Sequence, residues 1–160
     1  MIRVDVWADA RQHRDALLAA VAIARRETEG SKLGVGSGWS GPKDFLGRPE
    51  AQALGRYVRG ALPAGAWQID AWANVMRSND SILLHDHVRS HRGGENAWSG
   101  VYYLSMPPRT APLLLHLPNG ILPIAAREGT LIVFPANIEH EVPAFMFDGE
   151  RISIAFNAKD

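Results

Sequence analysis

The order of apolar and polar positions divides the chain in two. Ile2 to Trp7 alternates apolar and polar residues, which predicts a short strand. Asp9 then stands where a helix cap is needed, ahead of a helix expected over Ala10 to Glu27. Leu17, Leu18, Val21 and Ala24 give that helix an apolar side, and Gly30 follows its end. Residues 30 to 44 carry Gly, Ser and Pro and read as a loop. A second helix is expected over Pro49 to Ala61. Pro49 suits its first turn, and Ala51, Leu54, Tyr57, Val58 and Leu62 form a stripe.

After Pro63 the period shortens. Strands are expected over Trp67 to Arg77, Ile82 to His87, Ser99 to Ser105, Leu113 to Leu117, Ile121 to Ala125, Thr130 to Phe134, Glu139 to Val142 and Arg151 to Asn157. Turn signals such as Gly93-Gly94, Pro107-Pro108 and Asp148-Gly149 separate them, and Pro118-Asn119-Gly120 is a good hairpin turn. About eight short strands at this spacing predict a sandwich or barrel. Two helices ahead of them predict an α+β fold with the helices packed on one sheet. A cupin-like, eight-stranded jelly roll is the natural core, and such barrels often hold a ligand in the mouth. One domain is expected over residues 1–160, with 1–65 as helical support and 66–160 as the jelly-roll core.

Composition narrows the chemistry. A length of 160 residues with 46% apolar suits one hydrophobic core and is too apolar for disorder. The absence of cysteine excludes disulfides, thiolate zinc sites, iron–sulfur clusters and a thiol nucleophile. It fits a reducing compartment, so a cytoplasmic location is expected. The 17 basic and 17 acidic residues balance, which argues against nucleic-acid or membrane binding driven by bulk charge. Apolar stretches such as Ala16 to Ala24 are far short of a membrane span. The first residues lack a signal-peptide pattern, and GxGxxG, Walker A and GxSxG motifs are absent. Six histidines and the carboxylates remain, and five of those histidines lie between positions 85 and 140.

His85-Asp86-His87 ends a predicted strand. Alternation points His85 and His87 one way and Asp86 the other. His140 starts a later strand, and a jelly roll makes remote strands neighbours. The functional reading is a mononuclear metal site of His85, His140 and either His87 or Asp86. The plain alternative is three unrelated histidines. Imidazole and carboxylate suit Fe, Zn, Ni or Cu, and a facial set of three with open positions suggests non-haem Fe(II). Arg151 and Ser153 share a face of the last strand, where an arginine fork and a hydroxyl would make a carboxylate clamp; alternatively Arg151 is a surface residue after a turn. Arg89, His91, Arg92 and Glu95 form a charged loop between His87 and Trp98. It is read either as a lid over an anionic substrate or as ordinary solvated surface, and Trp98 either covers the site or anchors the loop.

Together these residues resemble the Fe(II)/2-oxoglutarate-dependent oxygenases. The nearer resemblance is to the bacterial and phage group of putative 2OG-Fe(II) oxygenases, related in fold to prolyl hydroxylases. Gly38-Trp39-Ser40, Trp72-Ala73-Asn74, His85-Asp86-His87, Ser99 to Leu104, Gly129 to Pro135, His140 and Glu150 to Asn157 carry it, in family order. The resemblance implies a double-stranded β-helix using Fe(II), 2-oxoglutarate and O₂. The family usually has a carboxylate two residues after the first histidine, whereas this chain has His87. Its subgroup commonly has histidine there, which favours His87 as third ligand over Asp86. Three neutral imidazoles would leave Fe(II) doubly positive, a charge that the 2-oxoglutarate dianion neutralises. The resemblance also implies that Asn74 lines the cavity. Tyr102 and Tyr103 point to opposite faces of one strand; Tyr103 is assigned to the cosubstrate and Tyr102 to the substrate or lid side, the plain alternative being core aromatics. Hydroxylation of a small molecule, such as an amino acid or natural-product intermediate, is the expected activity, and a homodimer is compatible with exposed sheet edges. The competing readings are a cupin-like three-histidine enzyme without a keto acid, and a non-catalytic ligand-binding jelly roll.

Overall fold

Leu17, Ala20, Val21 and Ala24 recur at helical spacing, and they are the buried side of α1 (Ala10–Glu27). The computed structural model describes residues 1–32, 34–87 and 97–160. A short strand, β1 (Arg3–Val6), precedes α1. Asp9 occupies the cap position without a side-chain cap bond. Its φ of −91° and ψ of 8° are not the extended geometry that aims a carboxylate back at the first turn. The expected loop holds two small strands, β2 (Ser31–Lys32) and β3 (Trp39–Ser40). They form because Trp39 and Ser40 pair with Val75 and Asn74, a tertiary choice that local composition does not signal. The second helix splits into a 3₁₀ turn at Pro49–Ala51 and α2 (Gln52–Ala61).

The remaining strands are β4 (Gln68–Met76), β5 (Ile82–His85), β6 (Ala97–Ser105), β7 (Leu113–Leu117), β8 (Gly120–Ile124), β9 (Thr130–Pro135), β10 (Glu139–Val142) and β11 (Arg151–Lys159). One sheet runs β1-β9-β6-β11-β4-β3-β2 and the other β5-β10-β7-β8. The strands after Pro63 thus divide four and four, and the chain passes repeatedly between the two sheets. This is the double-stranded β-helix, or jelly roll, expected from the strand count.

Period-two alternation produces two cores from the same strands. On one face of the larger sheet, Tyr102, Leu104, Ile154 and Phe156 pack with Leu17, Val21, Leu54 and Val58 of the helices. On the other face, Tyr103, Ile132 and Phe134 meet Leu113, Leu115 and Val142 of the smaller sheet. Gly100 of β6 lies under Phe156 of β11 and beside β9; a Cβ there would overlap the Phe156 ring and the Ile132 carbonyl oxygen. Among the described residues, no helix is long and apolar enough to cross a membrane.

Glu150 joins α1, β4 and β11 at one corner. Its carboxylate accepts from Arg77 Nη2 at 2.9 Å and from Arg25 Nη1 at 3.0 Å. Burial pushes this carboxyl up, but the bonds and charges of Arg77 and Arg25 outweigh it and hold it below its ordinary value. A depressed carboxylate stabilises the fold above its unfolded pKa, and that stability is lost as pH falls through the folded pKa. Glu150→Gln is therefore expected to cost about 1 kcal/mol at pH 7, the scale of two partly exposed ion pairs. Thermal melts should show the gap to wild type closing once the pH drops well below the usual carboxylate range. A gap that persists undiminished in acid contradicts this role.

Candidate metal centre

The β5–β10 pairing sets His85 directly opposite His140. β5 stops at His85, two residues earlier than expected. The His87 backbone N–H leaves that ladder and donates instead to the Ala136 carbonyl at 3.0 Å. His87 therefore reaches the other two histidines from beyond the strand end, not by strand alternation. The ring centroids stand 4.3 Å apart for His85 and His140, 5.0 Å for His85 and His87, and 5.1 Å for His87 and His140. One nitrogen from each ring lies within 4.8 Å of the others, a grouping able to hold a metal ion. Asp86 is exposed and outside this grouping.

Backbone carbonyls orient two of the rings. His85 Nδ1 lies 2.7 Å from the Leu83 carbonyl oxygen, and His140 Nδ1 lies 2.9 Å from that of Ile138. A carbonyl can only accept, so Nδ1 carries the proton and Nε2 keeps its lone pair. Burial lowers the His140 pKa to about 4, against a smaller opposing effect from the Ile138 bond. His140 is thus a neutral imidazole at pH 7, the form that ligates a metal. Neutral nitrogen donors suit Fe(II), and the donor set fits that ion.

The histidines line a cavity together with Trp72 and Asn74 of β4, Tyr103 of β6, and Arg151 and Ser153 of β11. Including its open mouth it encloses about 580 Å³. Arg151 is only 3% exposed. Its Nη1 donates to the Ala111 carbonyl at 3.1 Å and its Nη2 to the Tyr103 hydroxyl at 3.4 Å. Among the described residues its Nε has no partner, nor does Asn74 Oδ1. Among the described residues no carboxylate pairs with Arg151. Burial raises the Tyr103 pKa despite the opposing Arg151 charge, so Tyr103 stays a phenol. Having accepted from Arg151, it still has its own proton to donate. Ser153 sits opposite Asn74 in the β4–β11 register. A buried cation, a phenol, a hydroxyl and an amide in one cavity fit a carboxylate ligand.

Two sequence expectations need correction. Tyr102 faces the helices, where its ring meets Trp7 edge-on at 5.9 Å, and it lies on the side of β6 away from the cavity. Trp98 shares that side and packs on the same helix-facing cluster, so it does not cover the site. Alternation sends these two residues outward because Ser99, Val101 and Tyr103 line the cavity. Arg89 and Arg92 lie outside the described residues. His116 bonds Glu141 Oε1 at 2.8 Å instead of joining the cluster.

The sequence reading missed Ser99 and Asn157. Ser99 Oγ donates to Asn157 Oδ1 at 2.8 Å, and the Asn157 amide nitrogen lies 3.3 Å from His87 Nδ1. Continuing the alternation from Arg151 and Ser153 along β11 would have put Asn157 on the cavity face.

Comparison with known proteins bears on the fold. Residues 116–157, about a quarter of the chain, match the family described as "Putative 2OG-Fe(II) oxygenase". No curated protein matches the sequence. The fold is similar to a 2OG-Fe(II) oxygenase family oxidoreductase from Burkholderia pseudomallei, with TM-score 0.71 and 16% identity over 99% of this chain and 84% of that one. It is similar to a prolyl hydroxylase from Trichoplax adhaerens solved with a hypoxia inducible factor peptide, with TM-score 0.74 and 15% identity over 99% and 83% of the two chains. It is also similar to HygX from Streptomyces hygroscopicus, solved with nickel, 2-oxoglutarate and hygromycin B, with TM-score 0.72 and 11% identity over 99% and 82%. At these identities the structural likeness establishes the fold. The family match spans that quarter of the chain, and the fold is shared with structures described as 2OG-Fe(II) oxygenases.

Proposed function

We propose that this protein, acting as one domain, hydroxylates a small molecule, with His85, His87 and His140 holding Fe(II) and Arg151 receiving 2-oxoglutarate. The observation that carries the reading is the buried Arg151, which pairs with no carboxylate among the described residues, in the cavity that the three histidines also line. An unpaired buried cation is costly, and a dianionic ligand removes that cost. A cupin-like enzyme without a keto acid leaves this arginine without a task.

Each side chain then has a role. Arg151 binds the distal carboxylate of the keto acid. Tyr103 donates its phenol proton to the same group, and Ser153, on β11 with Arg151, and Asn74 of the neighbouring β4 hold it as well. Trp72, Met76 and Val101 give the cavity apolar walls that exclude water and hold a small organic substrate. When bound, iron, the keto acid and O₂ supply the oxidation: one oxygen atom goes to the substrate C–H bond, the other to succinate, and CO₂ is released.

The test is product analysis. Fe(II)-dependent conversion of 2-oxoglutarate to succinate, matched by O₂ uptake and stimulated by one of a panel of small molecules, is the expected result. Metal-replete protein that forms no succinate with any of them contradicts the proposal.

A further inference from the structure

His85 and His140 each rest their Nδ1 on a backbone carbonyl. His87 lies beyond the end of β5, and its Nδ1 faces the Asn157 side chain. We propose that Asn157, backed by Ser99, is the positioning residue of His87: it accepts the Nδ1 proton and so turns the Nε2 lone pair toward the other two histidines. This rests on the three-histidine metal reading above and assigns a role to residues outside the ligand set.

The argument is one of complementary hydrogen bonds. With the amide nitrogen toward His87, as it stands, Nδ1 accepts and the ring proton sits on Nε2. A protonated Nε2 cannot bind a metal. The two ends of an amide have nearly the same shape, so a half-turn about the last side-chain bond exchanges them. Oδ1 then accepts from His87 Nδ1. The amide nitrogen donates to Ser99 Oγ, which is equally able to accept. Both contacts survive the exchange, and all three histidines come to share one pattern: Nδ1–H on an oxygen, with the ring lone pair on Nε2. Ser99 and Asn157 are both buried, and they face each other in the β6–β11 register, which fixes where the amide sits.

The arrangement makes Asn157 matter through metal affinity, where losing an outer hydrogen-bond partner typically costs about ten- to a hundredfold. Zn(II) is the probe, read by competition titration and by NMR of the imidazole protons. Asn157→Leu is expected to weaken Zn(II) by that factor and to remove one hydrogen-bonded imidazole N–H signal from the loaded protein. Asn157→Asp keeps an acceptor but cannot donate to a bare Nδ1, so it is expected to retain both affinity and signal. Ser99→Ala, a small change, provides a second variant if Asn157→Leu does not fold, and is expected to weaken Zn(II) in the same direction. Undiminished affinity in Asn157→Leu or Ser99→Ala, or loss in Asn157→Asp equal to that in Asn157→Leu, overturns the proposal. Wild-type protein that binds no Zn(II) at all instead overturns the metal reading beneath it.

Discussion

Arg151→Met is expected to abolish 2-oxoglutarate binding at concentrations that saturate the wild type, while metal binding persists. Arg151 is the formally charged member of the set facing the keto acid, and burial removes most solvent screening from it. Deleting one partner of a buried, hydrogen-bonded charge pair costs about 2–5 kcal/mol, or roughly 30- to 4,000-fold in affinity. Arg151→Lys keeps the charge but loses the fork that reaches Ala111, Tyr103 and the ligand together, and should fall between the two. Without ligand the order of stability should reverse. Methionine removes a buried cation that no described carboxylate pairs with, so Arg151→Met should melt no lower than wild type, and added 2-oxoglutarate should raise only the wild-type melting temperature. Equal affinity for 2-oxoglutarate in Arg151→Met and wild type contradicts the assignment.

His140→Ala is expected to eliminate stoichiometric metal binding. His140 is the buried member of the triad, it lies opposite His85 in the ladder, and its neutral ring is ready to ligate at pH 7. Loss of a direct ligand should exceed the roughly hundredfold upper range seen for outer-sphere partners. His116→Ala is the matched control, because His116 is committed to Glu141. Metal analysis after anaerobic loading and desalting should find iron in His116→Ala and none in His140→Ala. Retained iron in His140→Ala removes it from the ligand set.

Much of this was legible where the signal is local. The apolar stripe of α1 and the alternation of β7 and β10 define those elements without reference to anything distant. Arg151 and Ser153 needed only strand alternation to be placed together. What stayed hidden depends on pairing. β2 and β3 exist because β4 offers them an edge. His87 joins the cluster because its backbone bonds Ala136, 49 positions away. Tyr102 and Tyr103 are adjacent aromatics, so nothing local says which one faces the cavity, and their assignment depends on the helices covering one side of β6. Asn157 has meaning only once β11 lies beside β6 and His87 reaches over both.

One cavity is proposed to hold iron on three histidines and a keto acid on Arg151. Anaerobic titration tests both halves at once. Wild-type protein should bind one Fe(II), and 2-oxoglutarate should then produce a visible charge-transfer band that needs both additions and is missing in Arg151→Met. Iron-loaded wild-type protein that binds 2-oxoglutarate without any such band, or shows the same band in His140→Ala, would contradict it.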